Sequence, residues 1–216
     1  MPELHVASDI VDAFTDLIAG DCQWWLVAGS IRRSKPVVKD AEIVIIPTAG
    51  LYQRLDRMVL DGEIEKALYG DRRTTRWGDK YRGLLFQGLR IELFMADWVN
   101  VGFQTWLRTG PGDANQYVMG RMQRSSIRAI GGYLWHADRW VRTVNAFGDP
   151  DGWDSPGKRK LAVRAETFMF DLLGVDPIAP KDRSVAAYTR QKLFARDVAY
   201  DFAPLDEQAM EQPRLL

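Results

Sequence analysis

Asp40 and Glu42 stand two residues apart in the run Lys39-Asp40-Ala41-Glu42-Ile43-Val44. On a strand that spacing turns both carboxylates to one face while Ile43 and Ile45 turn to the other. Glu92 lies in a second strand-like run, Arg90-Ile91-Glu92-Leu93-Phe94. If the two runs are neighbours in one sheet, three carboxylates converge. Clustered like charges repel unless a cation neutralises them, and hard oxygen donors favour Mg2+ or Mn2+ over zinc. Such ions can hold a triphosphate, lower the pKa of an attacking hydroxyl and stabilise charge on the entering and leaving oxygens. Upstream, Gly29-Ser30 can offer backbone N–H groups and a hydroxyl to a phosphate, and Arg32 or Arg33 can add guanidinium contacts. Each acid taken singly is more readily read as a solvated strand-edge residue. The combination of turn, basic pair, acid pair and third acidic strand is what points to chemistry.

Basic residues gather nearby. Between 71 and 90, Arg72, Arg73, Arg76, Lys80, Arg82 and Arg90 outnumber Asp71 and Asp79, and basic residues again outnumber acidic ones between 118 and 165. The whole chain carries 29 basic and 29 acidic side chains, so the charge is segregated while its sum is zero. A zero sum argues against a protein wholly committed to nucleic acid through counterion release. Lys80, Arg82, Arg90, Arg121 and Arg124 are candidate phosphate contacts, as is Arg128, with solvated faces as the plain alternative. Trp77, between Arg76 and Gly78, is expected to be exposed and able to stack on a base, whereas Trp24, Trp25, Trp106 and Trp135 are expected in the core. His5 and His136 lie too far apart in sequence to suggest a metal pair, and Cys22 reads as a small packing residue. The sequence contains no Walker lysine loop, zinc-ligand spacing or Ser-His-Asp elbow.

The elements that must position these residues are legible as periodicities. Of the 216 residues 46% are hydrophobic, yet no apolar run approaches the roughly 18 residues of a bilayer helix. Collagen-like, disordered and membrane-spanning classes are excluded. Apolar spacing predicts a helix over 6–19 capped by Ser8, a buried strand over 24–28, a turn at 29–33, a strand over 41–46 closed by Pro47, and a helix over 51–68. Residues 81–86 and 89–95, separated by Gln87-Gly88, read as a hairpin. Further helices are predicted over 100–106, 113–125 and 166–173, broken by Gly110-Pro111-Gly112 and by a Gly/Asp/Pro-rich stretch at 148–157, with a short strand pair around 132–135. From 185 the pattern fades into a helix-capable segment and a polar tail. One cysteine cannot form an internal disulfide, and the N-terminal run lacks the order of a secretory signal, so a cytoplasmic location is expected.

In these features the sequence resembles the nucleotidyltransferases of the DNA polymerase beta family, family X. Val27-Ala28-Gly29-Ser30-Ile31-Arg32-Arg33 followed by Lys39-Asp40-Ala41-Glu42-Ile43 is similar to that family's Gly-Ser turn and acidic strand. Leu89-Arg90-Ile91-Glu92-Leu93 resembles the strand with its third metal carboxylate. Thr109-Gly110 with Asn115 resembles the Thr-Gly and downstream Asn beside the incoming nucleotide. Phe168-Met169-Phe170-Asp171-Leu172-Leu173-Gly174 and Pro180-Lys181-Asp182-Arg183-Ser184 are similar to the closing segment of the final subdomain. The likeness runs over residues 26–184 and is nearest to short versions encoded by bacteriophages, for which the location would be the host cytoplasm.

The resemblance implies an α+β fold. A nucleotidyltransferase palm, a mixed sheet with flanking helices, would occupy residues 1–98, a small mostly helical nucleotide-selecting subdomain 99–184, and a C-terminal extension 185–216. It implies that Asp40, Glu42 and Glu92 are catalytic and hold Mg2+ or Mn2+. Gly29, Ser30, Arg33, Thr109, Gly110 and Asn115 would bind the nucleotide, and Lys80, Arg82, Arg90, Arg121 and Arg124 the DNA. The expected activity is a minimal DNA polymerase, a monomer without membrane contact, that adds a dNMP to a primer 3′ hydroxyl on primer-template or gapped DNA in repair. A non-DNA acceptor, or a catalytically inactive DNA-binding relic, remains an alternative. The family carries Asp at all three metal positions, whereas this chain has Glu at two; the longer side chains imply looser metal geometry and a shift toward Mn2+. It also has Leu107-Arg108 where the family often places an aromatic pair before Thr-Gly.

Overall fold

The computed structural model describes residues 1–145, 149–194 and 199–204. The chain divides into two compact units. One comprises Met1–Asp97, Gln104–Pro111 and Ile178–Arg183; the other comprises Trp98–Phe103, Gly112–Pro177 and the residues from Ser184 onward.

In the first unit, helix α1 (Leu4–Ile18) presents Ala7, Val11, Phe14 and Ile18 at helical spacing, and all four are buried. Ser8 lies inside it rather than at its start. The helix begins earlier than apolar spacing indicated because Glu3 bridges to Val37 and the Leu4 amide donates to the Pro36 carbonyl at 3.1 Å. Strand β1 (Cys22–Val27) is half-exposed, not buried, because it is the edge of its sheet; Trp25 is 39% exposed. A single helical turn, α2 (Gly29–Arg32), leads to β2 (Asp40–Pro47) and then α3 (Ala49–Leu60). Thr48 caps α3 by accepting from the Gly50 amide. The helix expected to reach residue 68 stops at Leu60, since Gly62 turns left-handed at φ +74° while the Glu63 and Ile64 amides bond back to Met58. The apolar period that continued past it belongs to a loop whose Ile64 still reaches the core.

Short strands β3 (Glu65–Lys66), β4 (Leu68–Tyr69) and β5 (Thr74–Thr75) precede the hairpin β6 (Tyr81–Phe86) and β7 (Leu89–Met95). Gln87 and Gly88 both take positive φ, 48° and 78°, as a two-residue type I′ turn requires. The main sheet is mixed, ordered β1-β2-β7-β6-β3, with β2 and β7 parallel and the other pairs antiparallel. Helices α1 and α3 cover one face: Val11, Phe14, Leu51, Leu55 and Met58 pack with Ile43, Ile45, Leu84, Ile91 and Leu93. The alternate residues, Asp40, Glu42, Arg90 and Glu92, take the opposite face.

After β7 comes α4 (Val101–Thr109), whose residues from Gln104 belong to the first unit. In the second unit, α5 (Gly112–Met122) is followed by β8 (Ile127–Ile130), β9 (Tyr133–His136), β10 (Val141–Val144), β11 (Pro150–Asp154), β12 (Arg159–Lys160), α6 (Glu166–Leu173) and α7 (Val185–Arg190). The short strand pair expected near 132–135 is β8–β9, turned by Gly131 and Gly132 at positive φ and joined by β12. The Gly/Asp/Pro-rich stretch contains β11, paired with β10. This unit is therefore mixed α and β rather than mostly helical. Of the expected C-terminal extension, residues 195–198 and 205–216 lie outside the described residues. No helix among the described residues is long and apolar enough to cross a membrane.

Candidate functional site

The parallel pairing of β2 with β7 sets Glu42 directly opposite Glu92 and Asp40 opposite Arg90. Two sequence runs fifty residues apart thus contribute to one patch, because the chain between them completes a crossover through α3. Their backs are anchored by side chains that are fully buried: Ala41, Ile43 and Ile91 are 0% exposed.

The Gly29-Ser30 turn lies beside this patch. The Ala28 amide donates to the Glu42 carbonyl at 2.7 Å, and Gly29 adopts φ +61°. A Cβ on Gly29 would stand 2.1 Å from Glu42 Oε2, so the glutamate side chain occupies the space that only glycine leaves open. The Ser30 hydroxyl oxygen is buried and has no hydrogen-bond partner. Arg32 donates to the Thr109 hydroxyl at 2.7 Å and Arg33 to the Thr109 carbonyl at 2.6 Å. The structure therefore joins two motifs far apart in sequence, the Gly-Ser-x-Arg-Arg turn and Thr109-Gly110. Asn115 lies on α5 in the second unit.

Burial, then Asp40 and Glu92, push the Glu42 carboxyl up to about 7, with Arg108 and Arg33 pulling the other way. Arg108 is the residue that sequence reasoning passed over, seeing there only a missing aromatic. Its guanidinium lies over the Phe94 ring at 3.8 Å from the centroid; Phe94 follows Glu92 by two and shares its face. Burial lowers the Arg108 pKa, and Glu42 and Glu92 oppose that fall. A second overlooked residue is Tyr69, whose hydroxyl donates to Glu92 Oε1 at 3.3 Å and lies 2.7 Å from the Tyr81 hydroxyl. Gly83 pairs in register with Glu92, and a Cβ there would meet the Tyr69 oxygen at 2.0 Å. The only sequence signal was a glycine inside a strand, a mark of close approach.

Among the described residues no three His, Cys, Asp or Glu side chains form a group arranged to hold a metal ion. Glu42 Oε2 lies against Gly29 and Glu92 Oε1 takes the Tyr69 hydrogen bond. The donor chemistry nevertheless fits a hard divalent cation. Three carboxylates are set on neighbouring strands, and the Glu42 carboxyl is pushed up first by burial and then by Asp40 and Glu92, the part of the cost that a cation would relieve.

The residues expected to contact DNA separate into groups. Lys80 is exposed, and Arg121 and Arg124 are exposed near the end of α5. Arg90 is half-buried with its guanidinium over Tyr69. Arg82 is a correction: it is 6% exposed, pairs with Asp56 at 2.9 Å and lies over the Tyr52 and Trp77 rings, so it is tied up inside the unit. Arg128 is another, 7% exposed and donating to the carbonyls of Met122, Ser125 and Ile127. Trp77 is half-buried and donates to Asp56 at 2.7 Å, which removes it as a free stacking face. Trp25, expected in the core, is exposed, while Trp106 is 0% exposed. Cys22 donates to the Ile18 carbonyl, and burial pushes its thiol up to about 11, which leaves it unreactive. Compared with known proteins, the chain matches no family model and no curated protein.

Proposed function

We propose that the first unit is the palm of a metal-dependent nucleotidyltransferase of the family X type, and that its reaction is addition of a dNMP to a primer 3′ hydroxyl. The single observation that carries this reading is the register of Glu42 against Glu92 with Asp40 on the same face, beside a glycine-serine turn whose hydroxyl is buried without a partner. Asp40, Glu42 and Glu92 would hold Mg2+ or Mn2+, which supplies charge neutralisation at the triphosphate. The Ser30 hydroxyl and the backbone of the turn would bind the triphosphate tail, and Arg33, with Thr109 in its grip, would fix the approach of the nucleotide. The primer 3′ hydroxyl releases its proton to solvent as its oxygen forms a bond to the α-phosphorus, the bond from that phosphorus to the bridging oxygen of the β-phosphate breaks, and pyrophosphate leaves. The protein's share is positioning and preset charge.

Arg108 favours a second reading. A cation already facing Glu42 and Glu92 partly neutralises them from within, as an inactive DNA-binding descendant would allow. One experiment separates the two. A labelled dNTP and a one-nucleotide-gapped duplex are incubated with the protein in Mg2+ and in Mn2+. Extension that disappears in Glu92→Gln supports the transferase, and DNA binding without extension in either ion supports the relic.

A further inference from the structure

The chain between β3 and β6 leaves the edge of the main sheet and returns to it. The Ala67 amide donates to the Gly83 carbonyl at 2.9 Å, and the Gly83 amide donates to the Arg76 carbonyl at 3.0 Å, so both arms are tied to one residue of β6. Between them β4 and β5 pair as a small hairpin, Leu68 with Thr75 and Tyr69 with Thr74. Its tip turns through Gly70 at φ 64° and Arg73 at φ 49°, and Trp77 locks its base through Asp56. Arg72, Arg73 and Arg76 on this arm are exposed and make no ion pair among the described residues. The guanidiniums of Arg76 and Arg90 lie over the Tyr69 ring at 4.6 and 5.0 Å from its centroid. A guanidinium stacked on a ring is held in place while its N–H edge stays free for a bidentate acceptor. The same ring carries the hydroxyl that donates to Glu92.

We infer that the β4–β5 hairpin is a docking arm for the phosphodiester backbone of DNA, with Arg72, Arg73 and Arg76 as its phosphate contacts and Tyr69 as its tie to the acidic patch. The choice of DNA as occupant rests on the nucleotidyltransferase reading, in which DNA is the acceptor; the arm itself is read from the surface. A backbone suits it better than an acidic peptide does. Arg72 and Arg73 stand side by side in the turn at its tip and Arg76 follows β5, so the cations sit at both ends of the second strand of the arm, and Leu68 at 39% exposure is its one exposed large apolar side chain. A strand docked here would lie next to Glu92, where a 3′ hydroxyl would have to react.

The test is fluorescence anisotropy of a labelled one-nucleotide-gapped duplex with the full chain across a NaCl series, so binding is read without any turnover. Arg72→Glu/Arg73→Glu is compared with Arg57→Glu/Arg190→Glu, an equal charge change at exposed sites outside the arm, after circular dichroism shows matching melts. The hairpin variant should bind about tenfold or more weakly at about 50 mM NaCl, and its slope of log K against log salt should become shallower by about two, near 0.9 per lost contact. The control should stay within about threefold of the wild type under the same conditions. Equal losses in both variants, no wild-type binding, or displacement of the duplex by polyglutamate at matched charge would overturn the proposal. If the arm variant loses DNA and the wild type still incorporates no nucleotide, the docking arm stands and the transferase reading falls.

Discussion

Glu42 sets the chemistry of the patch through a free-energy cost that can be measured without a substrate. Its carboxyl is pushed up to about 7 from an ordinary 4.5, so between those values the folded chain holds a proton that the unfolded chain releases. Stability therefore falls as pH rises through that window, by about 3 kcal/mol in all, because each pKa unit is worth about 1.4 kcal/mol. Glu42→Gln, which removes the charge and keeps the shape, should unfold at higher denaturant than the wild type at pH 8 and match it near pH 4.5. Equal midpoints at pH 8 would mean that the buried charge is not costly. Tyr69 acts at the same scale but through another residue. Tyr69→Phe removes the donor to Glu92 Oε1, and in the transferase reading it should lower kcat by about tenfold, the loss of one hydrogen bond to a charged group, while KM for dNTP stays unchanged. A rise in KM with kcat intact would place Tyr69 in nucleotide binding instead of the positioning of Glu92.

At the scale of elements, the turn into α2 shows why a glycine and a glutamate are bound together. Gly29→Ala meets two penalties, a left-handed φ of 61° and a Cβ 2.1 Å from Glu42 Oε2. Gly88→Ala meets only the first, since its φ is 78° and nothing lies within 4 Å of an added Cβ. The conformational part should cost each about 1 kcal/mol. Gly29→Ala should exceed Gly88→Ala in chemical denaturation, and the excess should shrink when Glu42 is shortened to Ala; a difference unchanged by Glu42→Ala would show that the clash lies elsewhere. These elements also mark how far the sequence could be read. The β6–β7 hairpin was legible to the residue, because alternation and Gln87-Gly88 give strand and turn independently. Asp40 and Glu42 were legible as a same-face pair, because strand period fixes side, whereas Glu92 joined them only on the condition that the two runs are neighbours, which the parallel β2–β7 register meets. What failed were boundaries decided by distant contacts: α1 starts at Leu4 through bonds to Pro36 and Val37, and α3 ends where Gly62 turns, although the apolar period continues. Arg82 and Arg108 were misread or missed because local sequence gives a charge but not its partner. Asp56 lies twenty-six residues from Arg82, and Phe94 fourteen from Arg108.

At the scale of the whole molecule, the connectivity of the first unit constrains how it can be cut. Residues 104–111 return to it after the chain has left at Asp97, and they bring Trp106, which is 0% exposed, and Thr109, which takes hydrogen bonds from both Arg32 and Arg33. They also bring Arg108, the cation facing Glu42 and Glu92. A fragment ending at residue 98 contains all three acidic residues yet lacks each of these partners. Losing a fully buried tryptophan alone costs about 3–5 kcal/mol, which for a unit of this size corresponds to roughly 10–40 °C in Tm. The fragment 1–98 should therefore fail to give a cooperative thermal transition at neutral pH, whereas 1–183, which holds all three segments of the unit, should melt cooperatively. Because 1–98 also loses the Arg108 charge that pulls the Glu42 carboxyl down, whatever structure it keeps should be rescued by acid more than 1–183 is. Identical melts for the two fragments would mean that residues 104–111 and 178–183 decorate a unit complete without them.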